Sequence, residues 1–190
     1  MSKKKYFVHE SSYVDHDVVV GNNTKIWHFS HIQSGAKIGK HCTLGQNVNI
    51  ANNVLIGDNV KIQNNVSVYE GVEIENYVFC GPSVVFTNVL KPRSRFPQRG
   101  KRYYKKTIIK KSATLGANAT ILCGIKIGKY AFIGAGAVVT KDVPDFSLFV
   151  GNPGRVIGWV DKKGSRINFD DKNISECGKY FFKNDIVEEM

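Results

Sequence analysis

Five histidines, four cysteines and a run of cations are the groups in this chain best suited to chemistry near neutral pH. Histidine is the usual base for a hydroxyl nucleophile, and it must lie within about 3 Å of the proton it takes. His9, His16, His28, His31 and His41 all fall early in the chain, far along the sequence from the cationic run. A histidine base working beside that run is therefore disfavoured. His28 and His31, in Trp27-His28-Phe29-Ser30-His31, are expected to be structural or to rim a substrate. Cys42, Cys80, Cys123 and Cys177 form no C-x-x-C pair, so neither a disulfide framework nor a zinc site is suggested. No metal is expected. The net charge is +11, and ten basic residues with no acidic one lie between Lys91 and Lys111. The remainder is close to neutral. A cationic cluster confined to one segment suits a local anionic partner, such as substrate phosphates, at least as well as a polynucleotide.

What must position these groups is a repeat of six residues. Reading from Val14, hexads open on Val14, Val20, Ile26, Ile32, Ile38, Leu44, Ile50, Ile56, Ile62, Val68, Ile74 and Cys80, and their fifth positions are small or β-branched. After a break the phase resumes at Ile109, Leu115, Ile121, Ile127, Ile133 and Val139. Apolar spacings of two and four exclude an amphipathic helix, which needs three and four. Turn residues recurring every six positions disfavour ordinary hairpins. The arrangement that buries both apolar positions is a solenoid: each hexad makes one flat face, three faces close a coil, and coils stack as parallel strands about 4.8 Å apart. Eighteen hexads make about six coils.

Segments such as Ile38-Gly39-Lys40-His41-Cys42-Thr43 and Leu115-Gly116-Ala117-Asn118-Ala119-Thr120 resemble the hexapeptide-repeat acyltransferases. The resemblance implies an all-β, left-handed parallel β-helix, acyl transfer from coenzyme A thioesters, and a homotrimer with sites between subunits. A narrower likeness runs through Lys61 to Tyr69, Phe79-Cys80-Gly81-Pro82-Ser83, Phe86-Thr87-Asn88-Val89 and Thr114 to Asn118. These resemble the bacterial N-acetyltransferases of nucleotide-linked 3-amino sugars, enzymes of surface polysaccharide (lipopolysaccharide) synthesis. The leading acceptor so implied is UDP-2-acetamido-3-amino-2,3-dideoxyglucuronate; dTDP-3-amino-3,6-dideoxyhexoses are the alternative. An amine with a lowered pKa mainly needs positioning, and the resemblance gives that task to Asn88. Substrate contacts are expected from Lys61, Gln63, Asn64, Tyr69, Phe79 and Arg93, and acetyl-CoA contacts from Ala117, Ala135, Lys141 and Arg155. Plainer roles stand beside these: a loop cap for Asn88, a hexad turn for Asn64, surface charge for Lys61, Arg93 and Arg155.

The expected layout is a repeat domain over 1–160, with a basic loop inserted at about 87–108, and a tail over 161–190. Residues 173–188 suit a short helix. Pro92, Pro97 and Gly100 keep the loop from stacking as a coil, and such insertions carry binding faces. The segment Gly151-Asn152-Pro153-Gly154 resembles the family's closing Gly-x-Pro-Ala, with glycine in place of alanine. No apolar run approaches the roughly 20 residues of a membrane span, and the start lacks the apolar stretch of a signal peptide, so the expected compartment is the cytoplasm. Composition, 42% hydrophobic and 23% charged, excludes wholesale disorder. Two readings outside enzymology remain: a purely structural β-solenoid, and a nucleic-acid binder using the loop cations with Phe96, Tyr103 and Tyr104. The enzyme reading predicts neither nucleic acid nor a membrane span as partner.

Overall fold

The computed structural model describes residues 5–184 and 186–190. Twenty strands of two or three residues, from Phe7–Val8 to Val138–Val139, wind into a triangular coil. Face I begins with Phe7–Val8, Lys25–Ile26 and Thr43–Leu44; face II with Tyr13–Val14 and His31–Ile32; face III with Val19–Val20 and Lys37–Ile38. Every pairing between coils is parallel, as in Lys61 against Phe79 and Ile62 against Cys80. The first residue of each pair points outward and the second inward, because strand side chains alternate. Ile26, Leu44, Ile62, Leu115 and Ile133 are accordingly fully buried in one column. The stack holds nearly seven coils rather than six, since Val8 and Phe86 occupy the same inward position one hexad before and after the first run.

The corners explain the turn residues. Asn23, Asn47, Asn53, Asn59, Asn65 and Asn118 all adopt positive φ, a conformation asparagine tolerates better than most side chains. Three polar residues enter the core at fifth positions, Thr24, Ser30 and, in register with Val72, Thr107, and each is hydrogen-bonded. The hydroxyl of Thr24 donates to Gly39 O at 2.8 Å and accepts the Cys42 N–H at 3.0 Å. Ser30 does the same with Gly45 O and the Val48 N–H. Burying these hydroxyls costs little because each keeps its partners.

The two ends differ. At the first coil Val8, Val14, Val18 and Val20 are only partly covered. At the other end the strand Ser147–Gly151 runs parallel to Phe132–Ile133, Gly154–Val160 returns antiparallel to it, and Arg166–Ile167 pairs antiparallel with Gly154–Val160. A second small core of Phe146, Ile167, Tyr180 and Val187 seals that end. No helix occurs among the described residues, so the helix expected over 173–188 is corrected: this stretch contains the hairpin Tyr180–Lys183 and Ile186–Glu189. The cause is tertiary packing. Tyr180 and Val187 face Phe146 and Ile167, and the Phe146–Tyr180 ring centroids lie 5.5 Å apart; a strand presents such alternate residues to one side.

Candidate active site

The basic loop leaves the stack at the corner between faces II and III. Val85–Phe86 is the last strand before it and Thr107–Ile109 the first after it. Both ends are stitched to the coil above: Thr87 Oγ1 accepts the Cys123 N–H at 2.9 Å, and Thr107 Oγ1 accepts the Gly124 N–H at 3.0 Å. Between these stitches the half-buried Asn88 accepts the Lys105 N–H through its main-chain carbonyl at 3.0 Å. That bond leaves the side-chain amide uncommitted to the loop closure. Tyr69, 43% exposed, lies one coil below at the same corner. A cavity of about 210 Å³ opens at the foot of the loop, lined by Asn53, Glu70, Glu73, Lys101, Tyr104 and Lys106 among others. The loop itself is exposed, and among the described residues Arg93 bonds only the adjacent Pro92 carbonyl, at 3.1 Å. Of the loop aromatics, Tyr104 lines the cavity, Tyr103 lies beneath Arg102 at 4.6 Å, and Phe96 is 70% exposed.

The other expected contacts gather on face I and at the corner between faces I and II. Lys61 and Phe79 are register partners on adjacent strands, and Gln63 and Asn64 follow Lys61–Ile62 into the corner. Asn64 Oδ1 accepts the Gln46 N–H at 2.9 Å, so part of this amide closes the coil. Higher on the same corner lie Ala117 and Ala135 beside glycines. A Cβ added to Gly116 would sit 2.5 Å from Ala135 N, so only glycine lets the two coils approach so closely at this corner. Arg155, exposed and opposite Val150, closes its upper end. Gly154 is buried, and a Cβ there would lie 2.9 Å from Val138 O and strike the Phe149 ring; glycine is required at this position. Lys141 stands apart, following Val138–Val139 at the corner between faces II and III.

The histidines lie elsewhere. His28 stacks on His9 with ring centroids 3.5 Å apart. His31 Nε2 contacts Asp15 Oδ1 at 2.9 Å, and this bond, helped by the Ser34 N–H, holds the Asp15 carboxyl below the usual carboxylate range. In register His31 pairs with Asn49, Asn49 with Ser67 and Ser67 with Val85. Three coil steps, about 14 Å, therefore separate His31 from the level of Asn88. Burial pushes the Cys80 thiol up to about 12, which makes it unreactive. No group of three or more potential metal ligands occurs among the described residues.

Two features went unread in the sequence. The Asp15–His31 pair spans sixteen residues and needs the coil register to be seen. Lys105 was one cation among ten, and nothing in its neighbours marks it as the residue tied to Asn88.

The bacterial transferase hexapeptide family (six repeats) matches residues 7–52 and 106–141, and the hexapeptide repeat of succinyl-transferase matches 35–70. The chain is 44% identical over 191 residues to the dTDP-3-amino-3,6-dideoxy-alpha-D-galactopyranose 3-N-acetyltransferase of Aneurinibacillus thermoaerophilus, covering 100% of this chain and 97% of that one. A 2,3,4,5-tetrahydropyridine-2,6-dicarboxylate N-acetyltransferase of Clostridium perfringens is 40% identical over 86 residues, 45% of this chain and 33% of its own. Among solved structures, the acetyltransferase domain of PglB from Neisseria gonorrhoeae shares the fold with a TM-score of 0.53 at 17% identity, over 82% of this chain and 58% of that one. WeeI from Acinetobacter baumannii does so with a TM-score of 0.53 at 23% identity, over 79% and 57%. With end-to-end identity to one member and the repeat matched on both sides of the loop, this chain belongs to the bacterial hexapeptide-repeat acyltransferases.

Proposed function

We propose that this acyltransferase moves the acetyl group of acetyl-CoA to the 3-amine of a dTDP-linked 3-amino-3,6-dideoxyhexose. The observation that carries the proposal is the 44% identity, over essentially the whole of both chains, to an enzyme named for such an acceptor. It favours the dTDP-deoxyhexose over the UDP-glucuronate derivative that the motifs alone put first. Arg93 adds nothing for a uronate carboxylate, since its guanidinium is solvent-exposed and among the described residues meets only Pro92.

Acetyl-CoA supplies the thioester. The strip of Ala117, Ala135 and Arg155 fits it: bare backbone beside small side chains admits an extended chain, and the guanidinium meets a phosphate. The Asn88 amide cannot accept a proton usefully near neutral pH, so its part is to hydrogen-bond the amine and aim its lone pair at the thioester carbonyl. The N–C bond forms as the C–S bond breaks, and the proton left on nitrogen goes to the departing thiolate or to water. Asn88 and the Ala117 strip lie on different corners of one chain, with face II between them. A second copy that sets its corner against the first completes the site, which supports the homotrimer. A step joining acetyl-CoA to a nucleotide sugar belongs in the cytoplasm, ahead of surface glycan assembly.

The test is thiol release by the purified chain across dTDP- and UDP-linked amino sugars and their hydroxyl counterparts. Highest turnover is expected with the dTDP-3-amino-3,6-dideoxyhexoses. Turnover confined to hydroxyl acceptors, or to the UDP-uronate, would sink the proposal.

A further inference from the structure

We infer that Lys105 is an electrostatic residue of the reaction, holding the acceptor amine neutral beside Asn88; the inference rests on the amine-acetylation reading above. Its main chain is fixed at the foot of the loop, with its N–H on the Asn88 carbonyl at 3.0 Å and its own carbonyl against Gly71. Its stem passes beside the coil above. A Cβ added to Gly124 in the coil above would sit 3.4 Å from Lys105 Cβ and 3.8 Å from Cγ, so the side chain rises past a glycine toward the upper coils. Gly124 is at φ +87°, where a larger residue would be strained.

The charges around this spot do not cancel. Lys106 is paired with Glu73 at 2.8 Å, and Asp142, higher on the same corner, accepts the Lys126 N–H. Glu70 points down the stack, where its carboxylate takes the Asn53 amide at 3.1 Å. Lys105 and Lys101 have no carboxylate partner among the described residues, and Lys141 stands two coils higher. Tyr104 and the buried Cys123 are the remaining titratable neighbours. Two unpaired lysines against one carboxylate leave the corner positive. A cation near an amine disfavours its ammonium form and lowers its pKa, which activates it as a nucleophile. The ammonium then gives its proton to water before attack, and no side-chain base is required.

The experiment follows amide formation from acetyl-CoA and dTDP-3-amino-3,6-dideoxygalactose across pH 6 to 10, with both substrates saturating. Wild-type chain is compared with Lys105→Met, which keeps the stem against Gly124, and Lys105→Arg, which keeps the charge. The kcat profile of Lys105→Met is expected to move alkaline by about one unit, or about tenfold slower at pH 7. It should meet wild type at high pH, and Lys105→Arg should restore the wild-type profile. A kcat lowered equally at every pH would overturn the inference, as would a raised KM for the nucleotide sugar with an unmoved kcat profile, the sign of a phosphate contact. Absence of amide product from wild type at every pH would overturn the acetylation reading and this inference together. Amide product with an unshifted Lys105→Met profile would overturn the inference alone.

Discussion

The corner between faces I and II and the corner between faces II and III are built from the same hexads, yet only the second is interrupted. At the first, bonds recur between residues eighteen apart: Gln46 N–H to Asn64 Oδ1, and Asn47 Nδ2 to Asn65 Oδ1 at 3.1 Å. At the second, Cys123 reaches back thirty-six residues to Thr87. The strand above nevertheless keeps its parallel register, with Phe86 against Ile121 and Ile74 against Ile109. The repeat therefore bridges the insertion as though it were absent, and the loop is free to serve chemistry while the stack serves stability.

That separation can be attacked directly. Excising the loop, with Asn88 joined to Thr107 through a short Asn-Gly turn, is expected to abolish acetyl transfer by more than about a thousandfold, roughly 4 kcal/mol of barrier. The thermal midpoint should stay within about 5 °C. A collapse of the fold would show that the loop is part of the stack after all. The reverse case is Ile121→Ala, at a fully buried position between Phe86 and Val139. It should cost about 2–5 kcal/mol in denaturant unfolding while the folded fraction keeps its kcat.

Smaller effects sharpen the contrast within the loop corner. Asn88→Ala should slow turnover by about fivefold to 150-fold, the worth of one orienting hydrogen bond at about 1–3 kcal/mol, with assembly intact by sedimentation. Asn88→Asp should be no faster. His31→Ala should leave most of the turnover; a loss beyond about a thousandfold would instead mark a general base. The smallest effect belongs to face III. Burial alone would push the Glu75 carboxyl up, but hydrogen bonds from Lys110 and the Lys111 N–H outweigh it and hold the carboxyl below its ordinary value. A depressed carboxylate stabilises the fold above its unfolded pKa, and that contribution fades as pH falls through the folded value. Glu75→Gln should therefore lower the thermal midpoint slightly at pH 7, with the difference fading as pH falls below the ordinary carboxylate value and through the lower folded one. A difference that grew in acid would reverse the assignment.

Most of the stack was legible because inward positions tolerate so few residues: aliphatics at the first place and small or β-branched residues at the fifth leave a period that survives the loop. Even Thr24 and Ser30 obey it, being small enough for the corner and able to bond the coil above. The tail was not legible. Tyr180 to Lys183 and Ile186 to Glu189 are each only four residues long, and what makes them strands is Phe146 on the coil end rather than any local period. The candidate site divides the same way. Asn88 stood out through a motif at the mouth of an unmistakable break, whereas Lys105 acquires its place from Gly124, nineteen residues on and one coil higher.

The uniform rise of the coils makes the stack a gauge with fixed gradations. Because face II advances by one strand spacing, about 4.8 Å, for each turn of the chain, anything bound along it can be lengthened or shortened only in those increments. Inserting one additional eighteen-residue coil between Asn47 and Asn53 would carry Asn88 one gradation farther from His31 and Tyr13 while keeping the Asn53–Glu70 contact at the foot of the loop. Selection for a longer or shorter acceptor could thus proceed by counting turns, while the chemistry at the top of the scale stayed as it is.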